Sequence, residues 1–198
     1  MDHSPALLSN DASGDLRDKL VQLLNRQLAD TVDLRSQARQ ARFNVKGSFV
    51  QELSSLFDGL AQDLRQFADL IAQHINALGG NAVATVRFVA QESRLRDYPL
   101  DALDGHEHVE ALLSSYARYE LETCHNRKAA QELGDSGTAG LFQVILASVE
   151  NNLWLLEAYL EGMAVGLHGG KLPPWTSVVE GRQGNSRRNE MSGSSGAA

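Results

Sequence analysis

The chain has 198 residues, 42% hydrophobic and 22% charged, which suits one domain with an ordinary core and a well-solvated surface. A net charge of −7 makes the chain a poor general nucleic-acid binder, because neutralising phosphates takes clustered Lys and Arg, so any DNA binding would come from a local basic segment. Cys124 is the only cysteine, which excludes an intrachain disulfide and any CxxC metal or redox motif.

The opening MDHSPALLSNDASGD lacks the basic and apolar blocks of a signal peptide. No apolar run approaches the roughly 18 to 20 residues that span a bilayer, so no membrane association and a reducing cytoplasmic location are expected. Residues 1–14 read as a flexible tail, and the first fifteen residues hold Asp2, Asp11 and Asp15 but no Lys or Arg. From Asp15 to about Arg42 no Gly or Pro interrupts the chain. Leu16, Leu20, Leu23, Leu24, Leu28, Val32 and Leu34 recur at helical spacing, which predicts a helix capped by Asp15 or Ser13. Gly47 breaks it.

A second helix is expected from about Phe49 to Leu78, on Leu53, Leu56, Phe57, Leu60, Leu64, Phe67, Leu70, Ile71 and Ile75, with Gly79 and Gly80 ending it. Residues 81–103 form a long connection, in which AVATVRFVA predicts a short helix and Tyr98-Pro99 closes the segment. Asp104 caps a third helix, about 105–133, carrying Leu112, Leu113, Tyr116, Tyr119 and Leu121. Gly134 and Gly137 make the next turn. A fourth helix follows from Thr138 to about Met163, with Leu141, Val144, Ile145, Val149, Leu153, Trp154, Leu156 and Tyr159. Past Gly166 the composition turns to Gly, Pro, Ser and Asn, so 167–198 reads as a flexible tail in which PPW at 173–175 docks locally. Two helical hairpins joined by one long crossover make an all-α four-helix bundle over 15–166, in the ferritin-like topology.

On a helical wheel Ser54, Asp58, Asp69 and Gln73 share one sector, because steps of 4, 11 and 15 residues are close to whole turns. Two carboxylates on one apolar helix need a partner or a cation unless they sit on a solvated face, and spacing leaves both readings open. His106 and His108 flank Glu107, but residues two apart point to different sides of a helix, so sharing a metal would require a non-helical turn. His74 lies about 100 degrees round from Gln73 and reads as a surface or interface histidine. Cys124, between Glu122 and His125, lacks the cationic surroundings of a reactive thiol. Trp154 and Tyr159 are expected in the core. No nucleophile elbow, phosphate loop or dinucleotide fingerprint is present.

Six stretches taken together resemble the Dps proteins, the ferritin-like proteins of starvation-induced DNA protection. They are ARFNVKG (41–47), LFDGLAQDLRQFADLIAQ (56–73), LGG (78–80), RLRDYPLD (94–101), ELGDSGTAGLF (132–142) and NLWLLEAYL (152–160). The resemblance implies a spherical shell of twelve subunits, oxidation of iron by peroxide, storage of the mineral and, in many members, DNA compaction. It also implies an iron site between two subunits: a histidine ending the first helix, a histidine and an aspartate early in the second, and an aspartate and a glutamate later in the neighbour's second helix. Carried onto this chain, those positions are Arg42, Ser54, Asp58, Asp69 and Gln73, so only Asp58 and Asp69 keep the family's residue.

Guanidinium has no lone pair to give a metal, and Ser and Gln are weak neutral donors. The stretch therefore reads as a degenerate metal site, with Arg42 paired to Asp58 and Asp69 across a subunit interface. Two functions follow from the resemblance. One is an iron-storing, stress-protective cage with ferroxidase activity reduced or relocated, His74 or Glu52 supplying substitute ligands. The other is a non-enzymatic shell, or a subunit mixed with a conventional Dps partner. A helical interaction module with no cage is the third reading, and the motifs spread over the whole bundle argue against it. The turn after the third helix keeps Glu132 and Asp135 but has Gly137 and Gly140, which implies weaker cation attraction at the family's threefold pore. DNA binding would rest on the C-terminal tail, where Lys171, Arg182, Arg187 and Arg188 outnumber Glu180 and Glu190.

Overall fold

The computed structural model describes the backbone of residues 6–47 and 49–167, and side chains within 14–47 and 49–162. Among the described residues there are five helices and no strand: α1 Ala6–Asn44, α2 Val50–Ala77, α3 Val86–Glu92, α4 Gly105–Glu132 and α5 Ser136–Leu167. The chain divides into two units, 1–157 and 158–198. Of the second unit only 158–167 is described, as helix. The expected tail beyond it, with PPW and the four basic residues, lies outside the described residues.

Four long helices and a short one in the crossover match the expected architecture. The first helix differs at its start. It runs from Ala6, so Ser13 and Asp15 are interior rather than capping, and residues 6–14 are helical. One glycine costs a helix roughly 1 kcal/mol, too little for Gly14 to end a run of good helix formers. The third helix starts as expected: Asp104 accepts from the Glu107 amide at 2.9 Å while Glu107 Oε2 accepts from the Asp104 amide at 3.3 Å, a capping box.

The core of the first unit is built from facing apolar stripes. Leu24, Leu28, Leu34 and Ala38 of α1 are fully buried, as are Leu53, Phe57, Leu64, Ile71 and Ile75 of α2. Tyr116 and Tyr119 of α4 and Phe142, Ile145 and Val149 of α5 complete it. Four expected core positions are instead exposed: Leu70 by 41%, Leu121 by 45%, Val144 by 60% and Trp154 by 57%. Each lies on the side of its helix that turns away from the neighbouring helices. One stretch, Ser136–Gly162, reaches a mean hydropathy of 1.2 over an 18-residue window, above what the interrupted apolar runs suggested. Its inner stripe of Phe142, Ile145, Val149 and Leu156 is core, Asn152 is buried beside it, and Gln143, Glu150 and Asn151 are exposed on the other side.

The crossover is held to α1 by polar side chains that apolar periodicity passes over. Asn25 accepts from the Val83 amide at 2.8 Å and donates to the Asn81 carbonyl at 3.0 Å. Asp33 accepts from Ser93 Oγ at 2.5 Å, and Gln37 donates to the Arg96 carbonyl at 3.1 Å. Asp30 takes the Arg94 amide at 2.8 Å and its guanidinium at 2.6 Å. Arg94 also reaches Glu122 of α4 at 2.6 Å, and Arg118 closes on the other oxygen of Glu122 at 2.6 Å. Two carboxylates and two guanidiniums thus balance in charge where α1, the crossover and α4 meet. The Asp30 side chain is fully buried, and that burial raises its pKa against the opposing pull of Arg94.

Candidate functional site

The α1–α2 turn positions the residues singled out from the sequence. α1 ends at Asn44, and Phe49, the residue before α2, adopts φ 64 and ψ 20, a left-handed conformation that costs a bulky side chain energy. Lys46 pairs with Asp104 through an isolated backbone bridge, which fastens the turn to the start of α4. Under it sits His108, 1% exposed, its Nδ1 2.7 Å from the Tyr98 hydroxyl and its ring stacked on that tyrosine. Phe57 of α2 meets the imidazole edge-on. Burial lowers the His108 pKa, although the Asn44 backbone and the Glu107 and Asp104 carboxylates pull the other way. Nε2 is enclosed without a well-formed hydrogen bond.

On this platform Arg42 Nε lies 3.2 Å from Asp58 Oδ1. Of the expected set, one contact is present in the single chain. It forms inside one chain, between the last turn of α1 and the third turn of α2, and through one nitrogen rather than a fork. Both side chains are open to solvent, 41% and 67% exposed. Ser54 is half-buried one turn before Asp58, while Asp69 and Gln73 are exposed. Eleven residues of helix separate Asp58 from Asp69, roughly 16 Å. A single chain therefore brings Arg42, Ser54 and Asp58 to one place, and leaves Asp69 and Gln73 at another.

The donor set does not fit iron within one chain. One carboxylate already engaged by a guanidinium, beside a serine, offers no second anionic or imidazole donor. Among the described residues no group of three or more His, Cys, Asp and Glu is placed to hold a metal ion. His106 and His108 do not converge, since His106 faces Glu110 at 3.5 Å while His108 is buried against Tyr98. His74 is half-buried and meets Thr138 at the start of α5, Nε2 to Oγ1 2.9 Å, so it acts as a tie between α2 and α5. Cys124 is a half-buried free thiol.

Sequence reasoning missed the Asp30–Arg94–Glu122–Arg118 cluster and His108's place under the turn. Asp30 falls among the buried apolar positions of α1, and that was the available signal for the first. Arg94 drew attention only as part of RLRDYPLD.

The helix order and the long crossover define a bundle of the ferritin class, and comparison with known proteins agrees. Residues 21–164 match the family model described as the ferritin-like domain. The DNA protection during starvation protein of Agrobacterium fabrum is 29% identical over 152 residues, which is 77% of this chain and 94% of that protein. The crystal structure of a Dps protein from Bacillus brevis superposes with a TM-score of 0.70 at 26% identity, covering 74% of this chain and 97% of that one. DpsC from Streptomyces coelicolor gives a TM-score of 0.70 at 27% identity, covering 74% and 86%. The chain belongs to the ferritin-like family, on its Dps branch.

Proposed function

We propose that this chain is a subunit of a Dps-like shell, twelve copies in the family's arrangement, that stores iron and protects the cell in starvation and oxidative stress. At the usual intersubunit iron site an ion pair takes the place of the metal. The observation that carries the second statement is the Arg42–Asp58 contact of 3.2 Å, which sets a fixed cation against the carboxylate that iron would need. Asp69 and Gln73, distant on the same helix, complete the site when α2 of a second copy lies across it at a twofold axis. Arg42 then neutralises carboxylates from two chains, and oxidation at that position is reduced. Iron is the cargo, reaching the mineral through other ligands or through a conventional Dps subunit in a mixed cage. The location proposed is the cytoplasm.

The test mixes purified protein with ferrous iron and peroxide and follows ferric absorbance. Wild type is expected to be slow. Arg42→His with Ser54→His and Gln73→Glu restores the family's donor set and should oxidise iron rapidly. Fast wild-type oxidation that disappears in Asp58→Asn would overturn the replaced-site reading and would leave the shell standing.

A further inference from the structure

The Arg42–Asp58 contact sets the register of the antiparallel hairpin that α1 makes with α2. Seven residues back along α1 from Arg42 stands Arg35, and seven forward along α2 from Asp58 stands Arg65. Seven residues are close to two whole turns, so each keeps the direction of the residue it is counted from. Near the turn this side of the hairpin sets a cation against an anion. Roughly 10 Å further along it sets two cations level with each other. Arg39, one turn from Arg35, adds a third, its guanidinium carbon 5.4 Å from the centre of the Phe43 ring.

Among the described residues none of these three arginines has an ion pair. Asp58 is engaged by Arg42, and Asp63 turns to Asn152 of α5 at 3.4 Å. Asp69 lies one turn past Arg65 and makes no pair with it. Arg39 and Arg65 are open to solvent, while Arg35 is half-buried, with its Nε closed off and lacking a hydrogen-bond partner. An enclosed donor wants an acceptor, and level guanidiniums repel each other until an anion lies between them.

We propose that Arg35, Arg39 and Arg65 form a binding site for a tetrahedral oxyanion, and that its occupant is free inorganic phosphate. Three cations call for more than one negative charge. Chloride or a carboxylate brings one, whereas phosphate carries roughly 1.5 to 2 near neutrality. Its oxygens also match the guanidinium fork. All three residues belong to one chain, so the site goes beyond the shell reading and does not depend on it. In the twofold pairing proposed above, Asp69 and Gln73 of one copy lie across Asp58 of the other. That reciprocal register brings the two α2 helices together near Arg65, so a second copy adds another Arg65 there.

The experiment is isothermal titration calorimetry of the full chain with inorganic phosphate, at fixed ionic strength made up with chloride. Saturable binding by the wild type is expected, weakened at least tenfold by Arg35→Gln with Arg65→Gln. Arg87→Gln, at an exposed arginine of α3, should bind as the wild type does. No saturable binding by the wild type, or equal affinity in the double variant, overturns the site. Equal weakening by Arg87→Gln overturns it too, since diffuse attraction would then suffice. A short DNA duplex that expels phosphate at stoichiometric concentration gives these arginines to a polymer backbone instead. Should the double variant unfold, Arg65→Gln alone, at an exposed position, must still weaken binding. Native mass of the same samples reads the shell separately. A chain that never exceeds two copies, yet binds phosphate through Arg35 and Arg65, keeps this inference and defeats the shell.

Discussion

Arg42 illustrates how one side chain changes the chemistry of a place without disturbing its fold. In the isolated chain its pair with Asp58 is solvent-exposed on both sides, and such pairs contribute at most about 1 kcal/mol. Arg42→His should therefore leave the melting temperature of a dissociated subunit nearly unchanged. If α2 of a second copy buries the pair, the same substitution should weaken metal-free assembly by on the order of 3 kcal/mol, read from the concentration at which shells dissociate. Equal loss in both states would argue against the intersubunit role.

His108 works at the same scale. Its folded pKa is below its unfolded value near 6.5, so the stability it contributes is present above that value and declines as pH falls through it towards the folded pKa. Urea midpoints should drop on acidification through this window, and His108→Gln should flatten that part of the profile.

At the scale of elements the crossover is decisive. It buries little of its apolar surface, Val86, Leu100 and Leu103 standing open while Val89 and Ala102 turn in, and four polar residues of α1 hold it instead. Arg94→Met keeps the length of the side chain and removes the charge between Asp30 and Glu122. Breaking a buried pair in this way costs on the order of 3 kcal/mol. Because Asp30 then lacks its cation while Glu122 keeps Arg118, the loss should shrink as pH falls and Asp30 takes up a proton. Thermal melts at two pH values check both parts.

The LGG turn after α2 shows two glycines with separate reasons. Gly79 takes φ 78, the left-handed conformation that ends the helix. At Gly80 an added Cβ would stand 2.6 Å from Val21 Cγ2 on α1, so the residue is small because two segments touch there. Gly80→Ala is expected to cost about 1–3 kcal/mol by overpacking against a stiff side chain.

For the whole molecule the expected species is a closed oligomer far larger than one chain. Any DNA binding should depend on the C-terminal segment, because each copy carries only a few cations there and repetition over a shell multiplies a weak contact. Removing residues 181–198 should abolish gel retardation at low salt. Retardation that persists in the shortened shell would move the contact elsewhere.

Helical periodicity in Leu53, Leu60, Leu64 and Ile71 was enough to place α2 and its buried face, because a 3.6-residue repeat registers one-sided burial directly. The capping pair Asp104 and Glu107 and the break at Gly79 were equally local, and so legible. The family resemblance implied that Arg42, Ser54 and Gln73 stand where the family has metal donors. Apolar periodicity misplaced Trp154, Val144 and Leu121 in the core, because apolar character does not say which side of a helix a bundle will use. Only the tertiary structure decided that Arg42 meets Asp58 within one chain and that Asp69 is a helix length away. Only it revealed Asp30, Arg94, Glu122 and Arg118 in one charge-balanced cluster. Those contacts join residues dozens of positions apart, and their energies depend on the burial and direction of each side chain, which emerge when the helices pack.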